Sequence, residues 1–236
     1  MKQILICGTL VLLAGSLLAA DSDDVKSAAQ KLADKGSYSW KTTVVVPEGG
    51  GGRFRPGPTE GKTEKDGYTW LSMTRGDNTI EAVLKGGKGA AKMQEGWQSL
   101  AELSADDQPG PGMFMARMLS NFKAPAADAA DLVARAKEIK KDGDAYLGDL
   151  TEDGAKGLLT FGGRRGGGPA PTVSNAKGSV KFWLKDGVLA KYGIKVQGSV
   201  SFNENNMDVD RTTTVEIKDI GATKVEVPED AKKKLQ

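Results

Sequence analysis

The chain has 236 residues, 33 lysines and arginines against 31 aspartates and glutamates, one cysteine and no histidine. So small a net charge gives no bulk attraction for nucleic acid or for an anionic membrane. With no histidine, and its single cysteine at Cys7 within an apolar leader, the chain has no internal disulfide, no Cys/His zinc site and no imidazole-based mechanism.

The first segment reads as an export leader. Met1-Lys2-Gln3 is a short positive start, Ile4 to Leu18 is apolar, and Leu18-Ala19-Ala20 precedes the acidic Asp21-Ser22-Asp23-Asp24. That is the layout of a secretory signal cleaved after residue 20. The apolar run is short for a membrane span, and nothing basic follows it. Ile6 is too large for the residue before a lipidated cysteine, which argues against an anchor at Cys7. Residues 1–20 are therefore expected to be a cleaved signal peptide. Residues 21–236 are expected to form a single exported domain in the periplasm or envelope, monomeric and without a cofactor.

Residues 22–35 follow with the spacing of an amphipathic helix: Val25, Ala28, Ala29, Leu32 and Ala33 share a face, and Gly36 stops it. Tyr38, Trp40, Thr42, Val44 and Val46 then alternate as a strand. Pro47 to Pro58 (PEGGGGRFRPGP) is a loop. Alternating runs at 59–64, 68–74, 79–85 and 89–93, separated by Gly-containing turns, read as a meander of hairpins. Trp97 to Leu103 leads into an acidic Pro/Gly connector at 104–112. Two helices are expected over 113–122 and 126–137, a short strand over 144–150, and a helix capped by Thr151 running to about Leu159. A second glycine- and arginine-rich loop, FGGRRGGGPAP, occupies 161–171.

Residues 178–202, GSVKFWLKDGVLAKYGIKVQGSVSF, alternate almost without a slip. A three-residue loop at Lys185-Asp186-Gly187 opposes Leu184 to Val188, Phe182 to Ala190 and Val180 to Tyr192, with all their apolar side chains on one face. A two-residue Asp-Gly turn would mix the faces, so the longer loop is the expectation. The apolar parity continues through Ile194, Val196, Gly198, Val200 and Phe202, while Lys181, Lys185, Lys191, Lys195 and Gln197 point outward. So long a strand belongs to a strongly bent sheet or barrel. Residues 207–219 add Met207, Val209, Thr213, Val215 and Ile217 to the inner face. A last strand is expected at 223–227, with Pro228 opening a helical turn. The order of elements is α+β with antiparallel strands.

The chemical motifs are weak. GPTEGKT (57–63) has three residues between its glycines where a phosphate loop needs four, and Lys62 falls in an alternating strand. Ser174 and Lys177 fit S-x-x-K without the motifs that accompany it in acyl-transfer enzymes. The oxygen-rich stretches at 142–144 and 203–208 lack the glycine and glutamate of a calcium loop. Arg53, Arg55, Arg164 and Arg165, in the two Gly/Arg loops, are candidates for contact with anionic head groups; loops built for flexibility and solubility are the plainer alternative. The Met-rich helix 113–122 suits either a core or a cover over an apolar space.

The C-terminal hairpin with its Lys-Asp-Gly loop, the long antiparallel strand and the closing Val225-Glu226-Val227-Pro228 resemble the LolA/LolB-like and LppX-like superfamily of envelope lipoprotein carriers. The resemblance covers most of the exported chain in element order and carries no diagnostic motif. It implies an incomplete β-barrel covered on its concave side by helices, holding a lipid or acyl chain. The residues expected to line such a cavity are Tyr38, Trp40, Trp70, Met115, Met118, Phe122, Phe182, Tyr192, Val196 and Phe202. The expected partners are a lipid-like ligand and an envelope protein or membrane surface, with no nucleic acid and no catalysis. The rival reading is a non-catalytic envelope interaction module with a filled core. An esterase or glycosidase on a similar scaffold is a third.

Overall fold

A computed structural model describes residues 14–48, 56–65, 67–105, 110–160, 171–202 and 205–236. The two Gly/Arg loops with Arg53, Arg55, Arg164 and Arg165 lie outside the described residues, as does most of the leader.

The elements are α1 (Ala14–Asp34), β1 (Ser37–Val45), β2 (Thr59–Glu64), β3 (Thr69–Arg75), β4 (Asn78–Lys85), β5 (Lys88–Met93) and β6 (Gly96–Ser99). There follow α2 (Leu100–Ser104), α3 (Pro111–Ser120), α4 (Pro125–Arg135), β7 (Lys140–Asp142), β8 (Ala145–Asp149) and α5 (Glu152–Leu159). The chain ends with β9 (Thr172–Lys185), β10 (Val188–Phe202), β11 (Asn205–Lys218) and α6 (Glu229–Lys233). The strands form one antiparallel sheet in the order β6-β5-β4-β3-β2-β1-β11-β10-β9-β8-β7. Two meanders thus meet where β1 pairs β11. The sheet is α+β as expected, and it is not closed into a barrel, since β6 and β7 lie at opposite edges.

The main core lies on the inner face, where α1, α2, α3, α4 and α5 pack. Helix α1 presents Val25, Ala28, Ala29 and Leu32, all buried, so most of the expected apolar stripe seats it, while Ala33, expected on the same face, is exposed. The helix begins earlier than the spacing suggested, at Ala14; Leu17, Leu18, Ala19 and Ala20 are good helix formers and carry it past Gly15 and Ser16. Thr151 caps α5 as anticipated, its hydroxyl accepting from the Gly154 amide at 3.0 Å.

The long hairpin corrects the expected loop. Val188 pairs Lys185, leaving Asp186 and Gly187 as a two-residue turn with φ of 53° and 71°. Positive φ at both positions is the type I′ turn that matches strand twist. The faces are not mixed, because Ala190 is an extra residue: Leu189 pairs Leu184 and Lys191 pairs Trp183. This bulge keeps the apolar parity but changes the expected partners: Tyr192, not Ala190, lies opposite Phe182, and Ile194, not Tyr192, opposite Val180. A second irregularity between Gln197 and Ser199 admits Asn175 at φ 54°, and Ser174 and Lys177 both lie in strand β9.

The expected strand at 223–227 does not form. That segment joins no ladder; the Val225 amide donates to Glu64 Oε1 at 3.0 Å, and Val227 packs into a second, smaller core. This core covers the outer face with Val83, Ala90, Ala231, Leu235, Trp70 and Trp97.

Candidate functional site

The inner face is ordered in rows across the sheet. One row, Trp40, Gly61, Leu71, Ala82 and Ala91 in register, is buried throughout. The next row toward the end of β1, Thr42, Thr59, Met73 and Ile80, is half-exposed throughout. Val44, Thr213 and Ile194 continue the half-exposed surface across β11 to β10. The helices therefore cover one end of the inner face and stop short of the other. Met118 and the ring of Phe122, just past α3, sit half-buried at the boundary.

The deep part is aromatic. Tyr38 and Trp40 are each 4% exposed, with ring centroids 5.8 Å apart; Trp40 stacks on Phe122 at 6.1 Å and 18°. Phe182 and Tyr192 face each other across β9 and β10 at 6.3 Å. Contacts of this kind add about 0.5–1.5 kcal/mol beyond area burial. Trp40 can lie flat across the sheet because Gly61 beside it has no side chain; a Cβ there would collide with the indole.

Polar groups pin α4 over this cluster. Its N-cap, Ala124, has no side chain to satisfy the first turn; the Tyr38 hydroxyl instead accepts from the Ala126 amide at 3.3 Å. Burial pushes the Tyr38 phenol up to about 12, the amide hydrogen bond working against it. Asp128, one turn on, accepts from the Tyr192 hydroxyl at 2.8 Å. Burial raises the Asp128 carboxyl above its usual range, and burial with the nearby carboxylate holds Tyr192 well above 10.0.

Of the expected lining residues, Tyr38, Trp40, Phe182, Tyr192, Val196 and Met115 are buried in the main core, with Met118 and Phe122 half-buried against it. Trp70 is a correction. It lies on the outer face in the second core, with Lys62 Nζ 5.7 Å from its ring centroid, while its neighbour Leu71 points inward. In a strand where Trp70, Leu71 and Met73 are all apolar, alternation does not say which parity is inside. Phe202 closes β10 opposite Asn205, and its side chain lies outside the described residues. Two clefts, of about 470 and 450 Å³, lie instead against β8 and β9 among Lys137, Asp149, Gly178 and Ser179, and none of the ten expected residues lines them.

Sequence reasoning missed Asp128 and Arg211. Arg211 lies on the inner parity of β11 between Val209 and Thr213, opposite Val196. That parity was the available signal, a charged residue at an apolar position.

Fold and face together define an open half-barrel with a helix-covered inner side. No family model matches the chain, and no curated protein matches it. Among solved structures, it is similar to the Mycobacterium tuberculosis lipoprotein LppX, with 11% identity and a TM-score of 0.46, covering 89% of this chain and 99% of that one. It is similar also to LprF from Mycobacterium bovis, with 11% identity and a TM-score of 0.45, over 90% of this chain and 98% of that one. Among the described residues, no helix is long and apolar enough to cross a membrane.

Proposed function

We propose that the protein is an exported, non-catalytic envelope protein that binds or carries a lipid-like ligand on the inner face of its sheet. The observation that carries this reading is the half-exposed row Thr42, Thr59, Met73 and Ile80, continued by Val44 and Ile194 across β11 to β10. Its apolar members, Met73, Ile80, Val44 and Ile194, are partly exposed on the concave side, and Met73, Ile80 and Ile194 pack against the edge of the main core. Methionine and aromatic side chains at its edge adapt to chains of differing shape. Native mass spectrometry of the purified protein should find co-purifying lipid, and a fluorescent fatty acid should bind with saturation. Absence of both would sink the reading.

The second reading, an envelope interaction module with a filled interior, is favoured by the mutual contacts of Tyr38, Trp40 and Phe122 and by clefts that lie away from that cluster. A protein partner captured by pull-down, without lipid, would select it. The leader, the monomeric state and the head-group role of Arg53, Arg55, Arg164 and Arg165 belong to the first reading as parts to be tested with it.

A further inference from the structure

Arg211 is a cation on an apolar surface. On β11 it stands between Val209, which is buried, and Thr213, with Val196 opposite. Ile194 lies diagonally across, in the half-exposed row. Pairing between β1 and β11 ends at Val45 and Thr212, so the chain at Arg211 has a strand neighbour on one side only. The residue therefore sits where the covered interior gives way to the open end.

Among the described residues its charge has no counter-ion. Arg211 Nη2 donates to the Leu158 carbonyl of α5 at 2.6 Å, and among the described residues no carboxylate forms an ion pair with it. A guanidinium carries five N–H donors in a planar fork, and one carbonyl engages only one of them. Loss of solvent lowers its pKa from the ordinary guanidinium value. A half-buried cation without a counter-ion costs free energy, and the natural compensation is an anion that accepts bidentately. The C-terminal carbonyls of α5 favour a cation there, but lysine would satisfy them equally, with no need for a fork.

We infer that Arg211 recognises the anionic head of an amphiphile, a carboxylate or phosphate, whose apolar tail lies along Ile194, Val44 and the half-exposed row. This rests on the lipid-binding reading above and narrows it to acidic ligands. The charge and the uncovered apolar surface adjoin each other, which is the arrangement an amphiphile requires.

The test compares cis-parinaric acid with its methyl ester on the unmodified protein, then on Arg211→Met and Arg211→Lys. The acid should bind more tightly than the ester. Arg211→Met should weaken the acid about tenfold to a hundredfold and leave the ester unchanged, as expected for loss of a charge-assisted hydrogen bond. Arg211→Lys should fall between. Equal binding of acid and ester by the unmodified protein would overturn the inference while leaving the carrier reading intact, and that comparison does not depend on any variant folding. Failure of both probes would instead remove the carrier reading, and the inference with it. Displacement of the acid by inorganic phosphate alone, at matched concentration, would make the site one for free anions and also overturn the assignment.

Discussion

Tyr192 and Asp128 meet inside the protein: the phenol of β10 donates to the carboxylate of α4 at 2.8 Å, fastening a covering helix to the middle of the sheet. Replacing Tyr192 by phenylalanine removes the donor and leaves a buried carboxylate unpartnered. The expected cost near neutral pH is about 1.5–3 kcal/mol by urea unfolding. A change below about 0.5 kcal/mol would show that the bond is not a fastening.

The same pair gives a pH signature. Burial dominates at Asp128 and raises its pKa, with the Tyr192 hydrogen bond pulling it back. The folded protein thus favours the protonated carboxyl more than the unfolded chain does. Its contribution is complete below the ordinary value of 3.8 and is lost as pH rises through the raised value. Asp128→Asn, neutral at every pH, should gain on the unmodified protein as pH rises above about 4. Asp131 works in the opposite sense, since hydrogen bonds from Lys123 and Arg135 lower its pKa and its contribution is lost as pH falls. The single-site difference, rather than the bulk curve, is therefore the quantity to follow; a difference flat from pH 4 to pH 8 would refute the assignment.

Gly61 should be intolerant of alanine. A methyl group there collides with the Trp40 indole, and moving the indole disturbs its stack on Phe122. Gly61→Ala is expected to cost about 1–3 kcal/mol by overpacking and to shift tryptophan fluorescence. An unchanged spectrum and stability would mean that the indole moves freely.

The bulge at Ala190 predicts an asymmetry between two deletions. Removing Ala190 joins Leu189 to Lys191 and yields a regular hairpin with the same partners, so the shortened chain should fold. Removing Gly193 turns Ile194 and everything beyond it to the wrong face. Circular dichroism and thermal melts of the two deletions would decide it, and equal damage from both would contradict the register.

Opposite faces of the sheet should answer a ligand differently. Met73→Asp, on the half-exposed inner row, should abolish uptake of a fluorescent fatty acid with little loss of fold. Trp70→Phe, on the outer face under α6, should leave uptake unchanged. Reversal of these two outcomes would put the ligand on the wrong side of the sheet.

Alternation was the legible part of the sequence. It placed Phe182, Tyr192, Val196 and Trp40 on the inner face, and the meander strands fell within a residue or two of their observed bounds. Trp70 failed because β3 is apolar on both parities, one side serving the main core and the other the small outer core. The turn at Asp186-Gly187 was misjudged because a bulge can repair parity locally, and nothing in the run Val188-Leu189-Ala190 announces one. Arg211 was passed over when the apolar positions of β11 were counted, although its odd-numbered place among Val209, Thr213 and Val215 marks it. The extent of helix cover was not legible at all, since it depends on where α3 and α5 end relative to a curved surface.

The sheet's outermost strands are short, three residues in β7 and four in β6, and all three residues of β7 are exposed, two of them lysine. Short strands at both margins, and the charges on β7, discourage neighbouring molecules from adding strands there. Because these margins do not pair with each other, the sheet can change its curvature without breaking a rung of its ladder. A closed barrel of the same length has a fixed circumference; an open sheet is held to no such closure.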